Sequence, residues 1–403
     1  MTLATTYFST SNANTEGRKA IEVDDIMWHI GEPTDTPLIA LTGGKLYKSG
    51  DDSPEEVAGR IAKKVTEQVD FKVIEKDKLT RTVTVNGAVT DTTTQTVTTD
   101  SNSACRIGDL LCDKSTGEMM FVQAVDSGGV DLTVARNLGS TAYEIADNAV
   151  LQIMGNAHKQ GGSKSAMRSI LASPRTRYCQ ISKRTFGITR TLAASQLETK
   201  VAALDEEQQQ AFVEINKDIE FSFWSPNAAD STTDASSNTV YLVRGIEGEL
   251  GSTYTTNCNG NLDEDFFMTT LAEEVFQYGP NRKTLFADAK FLSRVSGFSY
   301  LKQQTKPEMT KYGLRMTEVI TQHGTLEIVH CGAFSEYRAS SEAGKAIILD
   351  LNRVEYRYMK GRDVNMEMDI HTPGDDVIEG QYYCEVGLSL KSLAHHRIIN
   401  NIG

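Results

Sequence analysis

Cysteine is sparse in this 403-residue chain, and what there is does not cluster. Cys105, Cys112, Cys179, Cys258, Cys331 and Cys384 form no C-x-x-C pair, which excludes a disulfide scaffold, a zinc knuckle and a thioredoxin-like centre. They read as reduced thiols in a cytoplasmic setting. Long apolar runs are missing too: no window approaches the roughly 18 residues that span a bilayer. Met1–Tyr7 has no basic start before an apolar stretch, so neither a signal peptide nor a membrane partner is expected. Positive charge is in deficit, with 41 Lys and Arg against 54 Asp and Glu, a net −13. A surface that grips nucleic acid or anionic lipid as a whole needs the opposite balance.

Motifs that carry catalysis are equally scarce. There is no G-x-S-x-G elbow and no H-E-x-x-H pair. Gly245-Ile246-Glu247-Gly248-Glu249-Leu250-Gly251 has the wrong glycine spacing for a dinucleotide loop. Gly161-Gly162-Ser163-Lys164-Ser165 resembles the end of a phosphate loop, but Ser163 separates glycine from lysine and no hydrophobic helix follows. His29, His158, His323, His330, His371, His395 and His396 show no i, i+4 ligand spacing. The adjacent His395 and His396 would face opposite sides of a strand, so packed or solvated imidazoles are expected. The oxygen-rich loop Asp369–Asp376 lacks calcium-loop spacing and reads as an acidic solvated turn. No enzyme activity, cofactor or metal is expected.

What is present is an ordinary soluble composition, 39% hydrophobic and 24% charged, long enough for two or three domains with a large core. The first sixty residues are polar and broken by Gly31-Glu32-Pro33 and Gly43-Gly44. Their short apolar pieces (Ile26, Trp28, Ile30; Leu38, Ile39, Leu41) suit an extended arm better than a self-standing core. From Val69 the period becomes two, with Phe71 and Val73 alternating with Asp70 and Lys72. Thr80–Thr99 then holds ten threonines in twenty residues, a β-branched run that favours extended backbone. Extended runs at Arg106–Cys112, Glu118–Val125, Val130–Arg136 and Val150–Met154 follow, separated by turn clusters. They predict a small antiparallel sandwich or barrel inserted at about residues 87–156.

Next comes a basic stretch. Between Lys159 and Arg190 lie eight basic residues (Lys159, Lys164, Arg168, Arg175, Arg177, Lys183, Arg184, Arg190) and no acid. Tyr178–Ile181 and Phe186–Thr189 read as a strand pair that closes it. A nucleic-acid groove would interleave more aromatics than Tyr178 and Phe186; a solvated face is the plain alternative. The third reading is a contact laid on a neighbouring copy, for which Asp205-Glu206-Glu207, Asp263-Glu264-Asp265 and Asp375-Asp376 offer acid. Complementary patches on one chain favour self-association, so these eight residues are the candidate inter-subunit contacts.

A helix is marked by Asp205, Glu206 and Glu207 at its positive end, an apolar face of Phe212, Ile215, Ile219 and Phe223, and Pro226 at its stop. Asn227–Asn238 reads as loop. Asp263 should cap a second helix, and Thr284–Ala287 should be a strand leading to a helix with Phe291, Leu292 and Val295. Met316–Thr321 and Thr325–Cys331 suggest a hairpin; Ala346–Leu351, Val354–Tyr358 and Gln381–Leu390 suggest strands. The fold class is α+β with an all-β insertion.

This order of parts resembles the major capsid proteins of tailed bacteriophages with the Hong Kong 97 fold. The similarity runs through Asp35-Thr36-Pro37-Leu38 with Gly43-Gly44, Phe186-Gly187-Ile188, and Glu214–Glu220 as a spine helix. It continues through Arg244-Gly245-Ile246, Leu285-Phe286-Ala287 with Lys290-Phe291-Leu292, Gly324–Val329 and Ile347–Asp350. The Thr-rich insert departs from a minimal chain of that family, and no cross-linking motif is found. The resemblance implies an N-terminal arm (1–64), an extended loop (65–86 and 157–192) and the insert (87–156). It also implies a peripheral domain (193–239 and 346–403) and an axial domain (240–345). It further implies self-assembly into hexamers and pentamers in the host cytoplasm, forming the icosahedral shell of a virion. Portal, scaffolding or decoration proteins would be partners, and packaged double-stranded DNA would be touched only non-specifically. A nanocompartment shell, a β-rich adhesin and an unrecognised enzyme are the rival readings.

Overall fold

The computed structural model describes residues 36–42, 61–76, 78–139, 141–162, 164–167, 169–195, 203–298, 309–311, 314–334 and 344–402. The arm pieces around Trp28, the Gly43-Gly44 break and Arg168 lie outside the described residues. Contacts divide the chain into two units, one of residues 1–73 with 175–403 and one of residues 74–174.

The chain begins the larger unit with a five-residue helix, α1 (Pro37–Leu41), all of it buried. Two strands follow, β1 (Ala62–Thr66) and β2 (Asp70–Glu75), with Phe71 and Val73 inward and Lys72 outward on β2.

The smaller unit holds β3 (Thr82–Thr84), β4 (Thr96–Thr98), β5 (Asp109–Asp113), β6 (Met119–Val125), β7 (Asp131–Ala135) and β8 (Val150–Asn156) in the order β3-β8-β5-β6-β7-β4. A Val85–Thr99 bridge joins first strand to last; beside it Asn86 N–H donates to Thr98 O and Asp100 N–H to Thr84 O. The sheet is thus a closed antiparallel barrel without free edges. In each Thr-Val-Thr strand the valine (Val83, Val97) points inward and the threonines flank it. Leu111, Met120, Val122, Leu132, Val134, Leu151 and Ile153 complete the filling. The β unit is wider than the expected 87–156, because Thr82–Thr84 pairs with β8 instead of running on as loop. Threonine alternation announces a strand but not its partner.

After the barrel come β9 (Ser173–Tyr178), β10 (Gln180–Thr189), α2 (Arg190–Ala194), α3 (Ala203–Trp224), β11 (Ser231–Thr233), β12 (Thr239–Tyr241), α4 (Ile246–Leu250) and β13 (Thr255–Asn257). Then α5 (Glu264–Phe266) runs through a π turn (Phe267–Leu271) into α6 (Ala272–Phe276), followed by β14 (Arg282–Ala287) and α7 (Ala289–Ser296). The last strands are β15 (Met309–Lys311), β16 (Leu314–Ile320), β17 (Thr325–His330), β18 (Ala346–Leu349), β19 (Val354–Met359), β20 (Asn365–Met368), β21 (Val377–Leu390) and β22 (Arg397–Asn400). Two sequence expectations change here. The expected pair of Tyr178–Ile181 with Phe186–Thr189 does not form: from Gln180 on both segments lie in the single strand β10, which joins β21, while Tyr178 ends β9, which joins β2. The supposed loop Asn227–Asn238 contains β11, which turns back to pair with β12 just beyond it as a hairpin.

Helix α3 has Asp205 and Glu206 in its first turn, where carboxylates meet the positive end of the dipole. Ala211, Ile215, Ile219 and Phe223, four apart, form its buried face. Gly245 and Gly248 let the next loop press on the end of this helix: a Cβ would meet Ser225 O at 1.9 Å and Asn227 O at 2.1 Å. These glycines are packing devices.

The larger unit contains a five-stranded sheet (β1-β19-β21-β10, with β20 beside β21) and a seven-stranded sheet (β13-β22-β18-β14-β17-β16-β15). The seven-stranded sheet is buried on both faces. Phe286, Val329, Ile347 and Leu349 join a core with α3 and the five-stranded sheet. Leu285, Ile328, Ala346 and Ile348 face a second core with Phe267, Val275, Phe291 and Val295 of the α5–α7 layer. That double burial is why β18 reads as a continuous apolar run, as does the Leu285–Ala287 half of β14.

Candidate assembly contacts

The basic stretch divides by what its charges already touch. Glu249 on α4, nearly buried, takes two arginines at once. Arg177 binds it as a fork, Nε to Oε2 and Nη2 to Oε1, both at 2.6 Å. Arg175 adds a bond to the same carboxylate and another to the Leu390 carbonyl at 3.2 Å. Tyr178 stacks on Tyr241 nearby, ring centroids 4.8 Å apart. Farther along, Arg184 forks onto Asp218 of α3 at 2.6 and 2.9 Å, with Glu214 at 3.6 Å, and Asp218 holds its guanidinium above the usual range. Arg190 lies 3.9 Å from Asp376. Lys159, Lys164 and Lys183 are exposed, with no ion-pair partner among the described residues.

Four of the eight candidates therefore face acids of their own chain. Carboxylates 72 and 34 residues away in sequence answered Arg177 and Arg184, and no local pattern announces such pairs. The acidic patches nominated as acceptors are partly in local use. Asp263 caps α5 by accepting Phe266 N–H at 2.8 Å, and Asp205 and Glu206 serve the first turn of α3.

Two buried sites escaped the sequence reading. Glu220 of α3 is fully buried and accepts from Leu38 N–H at 2.9 Å, Ile39 N–H at 3.0 Å and Trp224 Nε1–H at 2.7 Å. The first two donors are free N–H groups at the start of α1, so the carboxylate fastens the N-terminal segment to the helix. Burial pushes the carboxyl up to about 7, against the pull of those three hydrogen bonds. The available signal was its spacing: Glu220 precedes Trp224 by one turn, beside the apolar stripe.

Lys283 is the second. Its ammonium donates to the carbonyls of Val275, Tyr278 and His395, each at 2.7 Å, and burial pulls it down to about 8. His395 and His396 sit in and beside a short 3-10 turn, not on a strand. His395 Nδ1 meets Asp350 Oδ2 at 3.1 Å, while His396 Nδ1 accepts Asp350 N–H at 3.2 Å. Burial takes His396 down to about 4, so it is packed as neutral imidazole. The cluster ties the C-terminal turn to β14 and β18.

A surface depression of about 480 Å³ is lined by Glu264, Asp265, Met268, Thr269, Gln322 and His323. No group of three potential metal ligands occurs among the described residues, and none of their helices is long and apolar enough to cross a membrane.

The family model of the SU10 major capsid protein matches residues 4–403. The chain belongs to that family. It is a phage major capsid protein, a structural component of the virion and not an enzyme. Among solved structures, this capsid protein is similar to a chain of Mycobacterium phage Bobi, at 10% identity over 98% of this chain and 99% of that one, with a TM-score of 0.49. The capsid of an empty GTA particle matches at 7% identity over 98% and 100%, TM-score 0.48. The holo-SrpI encapsulin complex from Synechococcus elongatus matches at 10% identity over 58% and 78%, TM-score 0.41. No individually curated protein matches.

Proposed function

We propose that this capsid protein adopts the Hong Kong 97-type arrangement and closes, as hexamers and pentamers, the icosahedral shell of a tailed bacteriophage. The observation that carries the reading is the capsid-family match across residues 4–403, which takes in both units. In this arrangement residues 1–64 are the arm, and residues 65–86 and 157–192 form the extended loop around the barrel insert. Residues 193–239 and 346–403 are peripheral, with α3 as the spine, and residues 240–345 are axial. The separate helical layers on the two sides of the seven-stranded sheet support such a division.

The barrel lies on the outer surface, since a module of that size has no room beneath a packed loop. Lys159, Lys164, Arg168 and Lys183 reach the neighbouring copy, while Arg175, Arg177, Arg184 and Arg190 brace the loop from within. Portal, scaffolding or decoration proteins act beside it, and DNA is held only non-specifically, as a net charge of −13 suits. Each contact contributes modestly; their sum over many copies resists the packaged genome.

Sucrose-gradient sizing and negative-stain microscopy of the full chain test this. Closed particles, or rings of five or six, support the shell. A chain that stays monomeric even with the neighbouring genes co-expressed overturns it. A density map with the barrel on the DNA side would overturn its placement alone.

A further inference from the structure

The barrel is filled, yet two of its strands are apolar on the outside as well. On β5, Leu111 points in and is fully buried, so Leu110 and Cys112 point out. On β6, Met120 and Val122 point in, so Met119 and Phe121 point out. Cross-strand register sets Leu110 beside Phe121 and Cys112 beside Met119. On the other flank, pairing steps from Leu110–Gly155 to Leu111–Ile153, which leaves Met154 as the extra residue of a bulge, 60% exposed. These five side chains, Met154 exposed and the other four half-buried, share the outer side of the sheet as a stripe, whereas β3 and β4 present threonine outward. A contiguous apolar face on a filled barrel marks a surface that another chain covers.

The same unit carries a segment with the matching character. Residues 157–174 follow β8 with Met167 at 93% and Leu171 at 88% exposure. Among the described residues of 158–172, the one backbone hydrogen bond is the turn from Gly162 N–H to Lys159 O. This strap has three bases (Lys159, Lys164, Arg168) and no acid, whereas residues 82–156 have nine acids and three bases, a net of −6. Asp91, Asp100, Asp126, Glu144 and Asp147 are exposed on that barrel. An apolar, basic strap and an apolar stripe on an acidic barrel are complementary, and within one copy the strap leaves its own apolar side chains open to solvent. We infer that the strap of one copy docks on the β5–β6 stripe of the next copy's barrel. The contact is heterologous, the type that closes rings. It rests on the shell reading above and names the surface that receives the loop.

Cys112 makes the docking measurable. It is the partly exposed thiol in the stripe, while Cys105, Cys179, Cys258, Cys331 and Cys384 are buried. Burial also raises Cys179 and Cys384 to about 12 and Cys258 to about 11, which leaves them little thiolate. In full-length Met167→Cys particles, added diamide should take up the two thiol protons and electrons and join position 167 to Cys112 of a neighbour. The expected result is a ladder of dimers and larger species on a non-reducing gel, lost in the Met167→Cys, Cys112→Ser double variant. Particles that form but give no ladder, a ladder that survives Cys112→Ser, or an intrachain product alone would each overturn the inference. Leu171→Cys serves if Met167→Cys does not assemble. If the parent chain forms no particles even with the neighbouring genes co-expressed, the shell reading fails first and this one with it.

Discussion

Glu220 Oε1 accepts the backbone N–H of Leu38 at 2.9 Å across 182 residues of sequence. Through that bond and its partner at Ile39, one carboxylate joins the C-terminal end of the long helix to the N-terminal segment. Leu38, Ile39, Ala40 and Leu41 then lie in the same apolar core as Ile215, Ile219 and Phe223. Apolar burial supplies the attraction; the carboxylate satisfies the amides that burial would otherwise strand.

Removing that carboxylate should therefore cost more than one hydrogen bond. Glu220→Ala takes the carboxylate acceptor from two buried backbone N–H groups and from the Trp224 indole N–H. A loss of about 3 kcal/mol is expected, on the scale of buried polar groups left unmet. Urea unfolding monitored by Trp fluorescence measures it, and an unchanged midpoint would contradict the assignment.

Glu220 and His396 also set opposing pH slopes. The Glu220 carboxyl sits near 7 when folded against 4.5 when free, so its contribution is complete below 4.5 and lost as pH rises through 7. His396 sits near 4 against 6.5, so its contribution is complete above 6.5 and lost as pH falls through 4. Between about 4.5 and 6.5 the two offset each other. Glu220→Gln should expose a rise in stability from pH 4 to 6.5, and His396→Gln a fall from 4.5 to 7, each of roughly 3 kcal/mol. Unfolding midpoints from pH 4 to 8 give both slopes. Parental profiles in both variants would rule out these groups.

Glu249 should behave as a structural carboxylate. Glu249→Ala removes the carboxylate that Arg177, itself 9% exposed, grips as a fork, and one of the bonds of Arg175. Breaking such a pair from one side costs about 3 kcal/mol. Thermal unfolding should show it, and Arg177→Met combined with Glu249→Leu should recover part of the loss.

Charge reversal should separate the two classes within the basic stretch. Lys159→Glu, Lys164→Glu and Lys183→Glu together should leave chain stability within about 0.5 kcal/mol, as exposed sites do, yet block particle formation. Arg175→Glu with Arg177→Glu should unfold the chain, because three carboxylates would then crowd one site. Melting curves and gradient sedimentation on the same samples decide between them. Intact particles from the triple lysine variant would dismiss those lysines as contacts.

Much of the secondary structure was legible because its signals are local. The stripe 211-215-219-223 placed α3, Asp263 announced the helix it caps, and the alternation of β21 showed in Cys384, Val386 and Leu388. The strand character of the Thr-rich run was equally plain. Its partners were not, since β3 and β4 meet through a bridge that periodicity does not encode. The eight bases were legible as a group, and their division was not. Arg175, Arg177 and Arg184 differ from Lys183 in which carboxylate the fold brings within 3 Å.

The sequence by itself determined the class: an acidic α+β chain with an all-β insertion, an excess of base in one stretch, and an order of elements that points to a capsid. Those properties reside in composition, spacing and chain order, which survive in the unfolded state. Only the tertiary structure decided that Glu220 holds the N-terminal segment, that Glu249 takes two arginines, and that β5 and β6 are apolar on both faces of a closed barrel. Each depends on which distant residues meet and which are shut away from water, and a buried charge differs from an exposed one only after the chain has folded around it.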